Sequence, residues 1–411
     1  MATVPFLHSS KTPPAVLIIT SGAWVSTARL SLALKSFGCN IGLHAPVSHP
    51  AFSTDVASFR SHYNALIPRA GVLRALRNFQ PDFVIAADEL MVLLLEEIWQ
   101  AEPAGSPLRA LIQRSIGGEK TMLAARSRME LARVASRLDV PTPDTVELEH
   151  PRDVQAAIRE LGLPLVMKAD ATSGGRGVRI LDDAARGTAE WRRLRGPLSL
   201  ARAGSRGLQY REWNHMRTWA RRELRGVTAQ RFITGQERNA MALCVDGKVM
   251  ACTLLEVVQT WCERGPSSVL RIIDDPAMQS AIEKTAAALG VTGFCGFDFM
   301  VEEGTGRCLL LEMNPRPTQL AHLALGPGRD LVAAYLRGVV GLEYVRDREA
   351  ATYGDTIALF PQELQRDEES ELLTRAFHDV PWDQPRLIER VLGRIPQVVR
   401  MDRRWAGVKS A

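Results

Sequence analysis

Apolar residues along this chain fall into short unbroken runs separated by segments of helical period. After a polar, proline-rich start, AVLIIT from Ala15 reads as a buried strand, and STARLSLALKSFG has helical apolar spacing with a glycine stop. NIGLHAP and PDFVIAAD are further strand-like runs, each followed by a helical pattern. Strands alternating with helices predict a small parallel α/β unit up to about Gly118. It lacks a G-x-G-x-x-G fingerprint, so dinucleotide binding is not supported.

The pattern then changes. EKTMLAARSRMELARVASRLD, from Glu119 to Asp139, reads between Lys120 and Leu138 as one basic amphipathic helix that stops at the proline-punctuated turn DVPTPDT. DVQAAIRELG is helical, PLVMKAD and GVRIL are strands, and the glycine loop SGGRG between them is a hairpin tip. AQRFITG, NAMALCVDG and KVMACTLLEVV are strand-like, and AMQSAIEKTAAALG is a helix ending on Gly290. From about Tyr344 onward, acidic and basic helical stretches read as an appended C-terminal tail.

At 411 residues, two or three structural units are expected. A net charge of +5 is a mild excess that favours anionic ligands without marking a nucleic-acid binder. The segment from Arg186 to Arg225 is arginine-rich and carries Trp191, Trp213 and Trp219, but a solvated helical face is the stronger reading. The six cysteines have no metal-ligand or redox spacing, which suits reduced thiols in a cytoplasmic protein. The N-terminus has no secretory pattern, and the apolar run LMVLLLEEIW falls short of the ~20 residues of a membrane span.

The most informative stretch is GFCGFDFMVEEGTGRCLLLEMNPRP, from Gly293 to Pro317. Two strands flank GTG, as in a hairpin with a three-residue loop. Pairing Glu303 with Arg307 places Val301 opposite Leu309, Phe299 opposite Leu311 and Asp298 opposite Glu312. Asp298, Glu312 and Asn314 then share one face, and Phe297, Phe299, Val301, Leu309, Leu311 and Met313 the other. Directly opposed carboxylates repel unless positive charge lies between them. A divalent cation would supply it, and so would arginines such as Arg307 or Arg316; spacing alone leaves both open.

LEMNPRP after GFDFM, with the lysine-bearing PLVMK and a glycine loop well upstream, resembles the ATP-grasp superfamily. That superfamily includes D-alanine:D-alanine ligase, biotin carboxylase and carbamoyl phosphate synthetase. The resemblance covers roughly Met122 to Leu342. It implies an α/β architecture in which an ATP-grasp fold is preceded by a Rossmann-like parallel α/β domain and followed by a C-terminal helical tail. The expected divisions are 1–118, 119–343 and 344–411, with a small lid lobe at 142–232 and a large lobe at 233–343.

The resemblance also implies roles. Asp298, Glu312 and Asn314 would hold two magnesium ions, with manganese as a substitute, and Arg316 would face the transferred phosphoryl group. Lys168 would contact ATP phosphates beneath a loop formed by Ser173, Gly174, Gly175 and Gly177. Gln230, Arg231, Phe232 and Ile233 would lie at the adenine, Glu237 at the ribose, and Arg128 at phosphate, with Lys120 and Arg126 as alternatives. One departure is Gly296, where some peptide-forming members carry an arginine two residues before the first metal ligand.

The implied activity is ligation of a carboxylate to an amine through an acyl-phosphate, with ADP and phosphate as products. Rival readings are carboxylase-like or carbamoyl-phosphate-synthetase-like chemistry and a nucleotide-responsive binding protein. Expected partners are small-molecule carboxylates and amines, with no membrane or nucleic acid, in a chain compatible with a homo-oligomer. Thr318, Gln319 and His322 are candidate acceptor contacts, His322 reading more naturally as a structural histidine.

Overall fold

The computed structural model describes residues 13–170, 172, 177–196, 224–262 and 265–393. Ser173, Gly174 and Gly175, and the arginine-rich residues 197–223 with Trp213 and Trp219, lie outside the described residues.

Strands β1 (Ala15–Ile19), β2 (Asn40–Ala45), β3 (Phe59–His62) and β4 (Phe83–Ala86) form a parallel sheet in the order β3-β2-β1-β4. The unbroken apolar run of β1 follows from cover on both faces. Val16 and Ile18 belong to a core shared with helix Val25–Ser36, whereas Leu17 and Ile19 pack with helices Pro68–Phe79 and Glu89–Ala101. β3, with the sequence FRSH, has only alternate half-buried positions and leaves no apolar run to read.

The basic stretch read as one helix is two, Glu119–Arg126 and Arg128–Arg137. Ser127 separates them because its side chain caps the second, accepting from the Glu130 backbone N–H at 3.2 Å. Ser-x-x-Glu is the capping-box spacing. The break puts Arg128 at the first turn of a helix, with its backbone N–H donating to Asp170 at 3.2 Å.

Strands β5 (Thr145–Glu147), β6 (Leu165–Ala169), β7 (Val178–Leu181) and β8 (Val227–Arg231) form an antiparallel sheet in the order β5-β8-β6-β7. Leu165, Met167 and Ala169 are buried with residues of helices Asp153–Leu161 and Gly187–Arg195. Alternation turns Val166 and Lys168 to the opposite face.

A larger sheet follows. β9 (Gly235–Val245), β10 (Lys248–Thr260), β11 (Ser267–Ile273), β12 (Gly293–Glu302), β13 (Cys308–Asn314), β14 (Thr356–Ala358) and β15 (Phe377–His378) lie in the order β13-β12-β9-β10-β11-β14-β15. Helix Pro276–Leu289 shares a core with β9, β12 and β13, and helix Leu331–Gly338 shares another with the parallel unit.

The segment beyond Tyr344 supplies short helices and also the last two strands of this sheet. Leu387 of helix Pro385–Leu392 enters the core of the parallel unit. Nearby, Arg29 donates to the Asp379 carboxylate and backbone carbonyl, both at 2.7 Å, while His322 contacts the same carboxylate at 3.0 Å. Among the described residues no helix is long and apolar enough to cross a membrane.

Candidate active site

Asp298 of β12 pairs with Glu312 of β13, as the hairpin pattern predicts, and Phe297 and Gly296 beyond it keep the predicted partners, but the part of the ladder between Asp298 and the loop is offset by one. Phe299 faces Leu310, Val301 faces Cys308, and Glu302 rather than Glu303 bonds to Arg307. A bulge at Leu311 absorbs the difference. Leu310 therefore takes the inward position beside Phe297, Phe299 and Met313, and Leu311 is only half-buried. The two carboxylates stay opposed.

Asp298 accepts from Asn239 Nδ2 at 2.6 Å and from Asn314 Nδ2 at 3.0 Å. Burial, followed by the charge of Glu312, pushes its carboxyl up to about 6, against these hydrogen bonds and the charge of Arg316. Excess negative charge is thus concentrated where the strands meet. Glu312 Oε1 accepts from Arg128 Nη2 at 2.9 Å. Among the described residues no three His, Cys, Asp or Glu side chains cluster as a metal group. The donor set is two carboxylates and the Asn314 amide oxygen, which suits a hard cation that takes its remaining ligands from phosphates and water.

Basic side chains converge on these acids. Arg128, with 11% of its side chain exposed, also donates to the Ala169 carbonyl at 2.5 Å and lies 3.6 Å from Asp170. Lys168 donates to Gln230 Oε1 at 2.6 Å, and Gln230 donates in turn to Thr145 Oγ1 at 3.0 Å. Burial, then Arg128, bring the Lys168 ammonium down to about 8, partly offset by Glu312 and Asp298. Arg126 pairs instead with Glu96 at 3.6 Å, and Lys120 is exposed.

The parallel unit contributes Glu89, the first residue of its helix after β4. Its carboxylate lies 3.7 Å from Arg316 Nε and lines the same crevice as Arg128, Asp170 and Glu312. Burial raises Glu89 to about 7, with Glu312 and Asp88 adding to the effect and Arg316 and Arg128 opposing it. Arg316 Nη2 donates to Asn314 Oδ1 at 3.2 Å.

The remaining sequence candidates do not line this crevice among the described residues. Arg231 ends β8 and bonds to Glu302 at 2.8 Å and Asp144 at 3.3 Å, while Phe232 and Ile233 lie in the connection to β9. Glu237 is exposed and pairs with Met300, on the face that carries Asp298 and Asn239. Gly177 sits where a Cβ would overlap the Thr172 side chain, at 2.0 Å. Gly296 stands opposite Asn314, and a Cβ there would meet Thr318 Cγ2 at 2.7 Å, so an arginine at that position would require the Thr318 side chain to shift. His322 is buried against Asp379.

Sequence reasoning missed Glu89, Asn239 and Asp170. Asn239 had a readable signal, since it alternates with Glu237 on β9. Glu89 had a weaker one, an acid directly after the helix-capping Asp88 at the carboxyl end of a strand.

A lysine-bearing antiparallel sheet facing an acidic hairpin of a second sheet, behind a parallel α/β unit, defines an ATP-grasp protein. The chain belongs to the family described as "Carbamoyl-phosphate synthase L chain, ATP binding domain", whose model matches residues 127–342, just over half of it. The N-terminal section of the carbamoyl phosphate synthase large chain of Methanopyrus kandleri is 22% identical over 255 residues, covering 60% of this chain and 41% of that one. The carbamoyl phosphate synthase large chain of Methanoculleus marisnigri is 27% identical over 232 residues, covering 54% and 18%. The chain thus spans less than half the length of these relatives. Among solved structures, the carboxyaminoimidazole ribonucleotide synthase of Aspergillus clavatus complexed with ATP superimposes with a TM-score of 0.57 at 16% identity, over 83% of this chain and 80% of that one. Biotin carboxylase of Campylobacter jejuni superimposes with a TM-score of 0.57 at 15% identity, over 80% and 71%. At these identities the likeness establishes the fold.

Proposed function

We propose that this protein is an ATP-dependent ligase that joins a carboxylate to an amine through an acyl-phosphate, releasing ADP and phosphate. The observation that supports it most is the opposed pair Asp298 and Glu312, flanked by Asn314 and Arg316 on one side and by Lys168 and Arg128 on the other. Asp298, Glu312 and Asn314 fit two magnesium ions, with manganese as a substitute. When bound, such ions neutralise phosphate charge as the terminal bond breaks.

In this reading Lys168 and Arg128 hold the ATP phosphates, and Arg316 faces the group in transfer. A carboxylate oxygen attacks the terminal phosphorus and ADP leaves. The amine nitrogen then attacks the acyl carbon, phosphate departs, and the amine proton passes to phosphate or solvent. No side-chain nucleophile is required. Ser173, Gly174, Gly175 and Gly177 cover the phosphates, Gln230 to Ile233 lie at the adenine and Glu237 at the ribose. A cytoplasmic setting belongs to the same proposal, supported by six unpaired cysteines.

Bicarbonate is one carboxylate to test, because the carboxylase-like and carbamoyl-phosphate alternatives would require it. The experiment is a screen of carboxylates, bicarbonate and amines for stimulated phosphate release with magnesium-ATP. Release that needs both a carboxylate and an amine supports ligation, release that needs bicarbonate points to carboxylase-like or carbamoyl-phosphate chemistry, and binding of ATP with no stimulated release refutes both.

Lys168→Ala should weaken ATP binding by about tenfold, the loss of one phosphate-facing cation worth some 1.4 kcal/mol. The wild type should also lose affinity as pH rises through about 8, because the ammonium deprotonates there. The variant should lack that step. Titrating a fluorescent nucleotide against both proteins from pH 6.5 to 9.5 checks this, and identical profiles would remove Lys168 from the phosphate site.

A further inference from the structure

The parallel order β3-β2-β1-β4 reverses direction from β1, so the carboxyl ends of β1 and β4 border the crevice where open α/β sheets receive ligands. Asp88 follows β4 and caps the next helix. It accepts from Thr20 Oγ1 at 2.8 Å and Ser21 N–H at 2.5 Å, and it caps the helix through Met91 N–H at 3.1 Å. Glu89 is therefore held by its neighbour on a rigid helix start.

Arg316 presents the complementary need. Its Nη2 is engaged by Asn314, but its Nε is buried without a hydrogen-bond partner. Glu89 Oε2 stands 3.7 Å from that atom, a few tenths of an ångström beyond hydrogen-bond reach. Both side chains are mostly buried, at 19% and 14% exposure. A planar guanidinium gripped on its Nη2 edge and on its Nε edge has its plane fixed.

We propose that Glu89 is a positioning residue for Arg316, holding the guanidinium toward the transferred phosphoryl group and linking the acceptor-side crevice of the parallel unit to the phosphate site. The inference rests on the ligase reading for the role of Arg316. Glu89 lies among like charges, Asp88 and Glu312, as well as Arg316 and Arg128. A carboxylate retained there against repulsion is better placed to orient an arginine than to add stability.

The test compares affinities for β,γ-imido-ATP and for ADP, with magnesium, on the full chain. The ratio of the two reports contact with the terminal phosphate and needs no acceptor. Glu89→Ala should reduce the preference for the triphosphate analogue by about tenfold while ADP affinity stays within about twofold. Arg316→Ala should do the same, and the double variant should be no worse than Arg316→Ala alone, because coupled residues are not additive. Glu89→Asp should recover part of the loss. If Glu89→Ala does not fold, Glu89→Met, which fills the space but offers no oxygen to Nε–H, makes the same comparison: a several-fold loss that disappears in the Arg316→Ala background supports the proposal. An unchanged ratio in the Glu89 variants, or losses that multiply in the double variant, overturns it. An unchanged ratio in Arg316→Ala overturns both this inference and the role of Arg316 beneath it, and the phosphate-release screen judges the ligase reading separately.

Discussion

Glu312→Gln is expected to leave the fold intact and to lower magnesium-dependent ADP formation by about a thousandfold, or some 4 kcal/mol of barrier. The amide keeps the size of the side chain and an oxygen to accept from Arg128 Nη2, now at 2.9 Å from the carboxylate. It also removes the like charge opposite Asp298, so stability should change by less than about 1 kcal/mol. What it removes is one of the two negative charges available to hold metal at the phosphates. Asn314→Ala should behave differently. A neutral ligand can be replaced by water, but Asn314 is buried, donates to Asp298 and accepts from Arg316, so its loss should lower stability as well as turnover. Melting curves and ADP formation measured on both variants separate these effects. A Glu312→Gln protein turning over at the wild-type rate would exclude the metal site.

Arg29→Ala should cost about 3–5 kcal/mol, the range for breaking a buried ion pair from one side. It strands the Asp379 carboxylate, 3% exposed, with only buried His322 for company. Burial alone would raise the Asp379 carboxyl, but Arg29 and then His322 outweigh it and hold the group at about 2. Because the folded value lies below the unfolded one, near 4, this contribution is present above pH 4 and is lost as pH falls toward 2. The gap between wild type and variant should therefore be widest near neutrality and should narrow in acid. Urea denaturation at pH 7 and pH 3 measures it. A difference below about 1 kcal/mol at pH 7 would show that the pair does not tie helix Val25–Ser36 to the C-terminal segment.

Local pattern was enough for whatever lies within one strand or one hairpin. Val16 to Ile19 announced a strand covered on both faces, because such a strand has no solvent side to show polar residues. The opposition of Asp298 and Glu312 was read correctly although the loop register was off by one, because the bulge at Leu311 restores the pairing beyond it. The motif set of LEMNPRP, PLVMK and the glycine loop was also enough to place the chain in its superfamily.

The bulge at Leu311 was not legible. Leu309, Leu310 and Leu311 are equally apolar, so alternation carries no signal there, and only packing against Phe297 and Met313 selects Leu310 for the core. The break at Ser127 escaped notice because helical period continues across it, although Ser-x-x-Glu marked the cap. Residues that act across long separations were beyond sequence alone. Arg128 reaches Glu312, Glu89 reaches Arg316, and Arg29 reaches Asp379 only after separate sheets have packed. The sequence by itself determined the apolar strands such as β1, the acidic hairpin and the family, since each rests on neighbours in the chain, but not β3, β14 or β15. The tertiary structure decided which charges face one another, because a charge's partner depends on distance in space and on burial, neither of which is written in the order of residues.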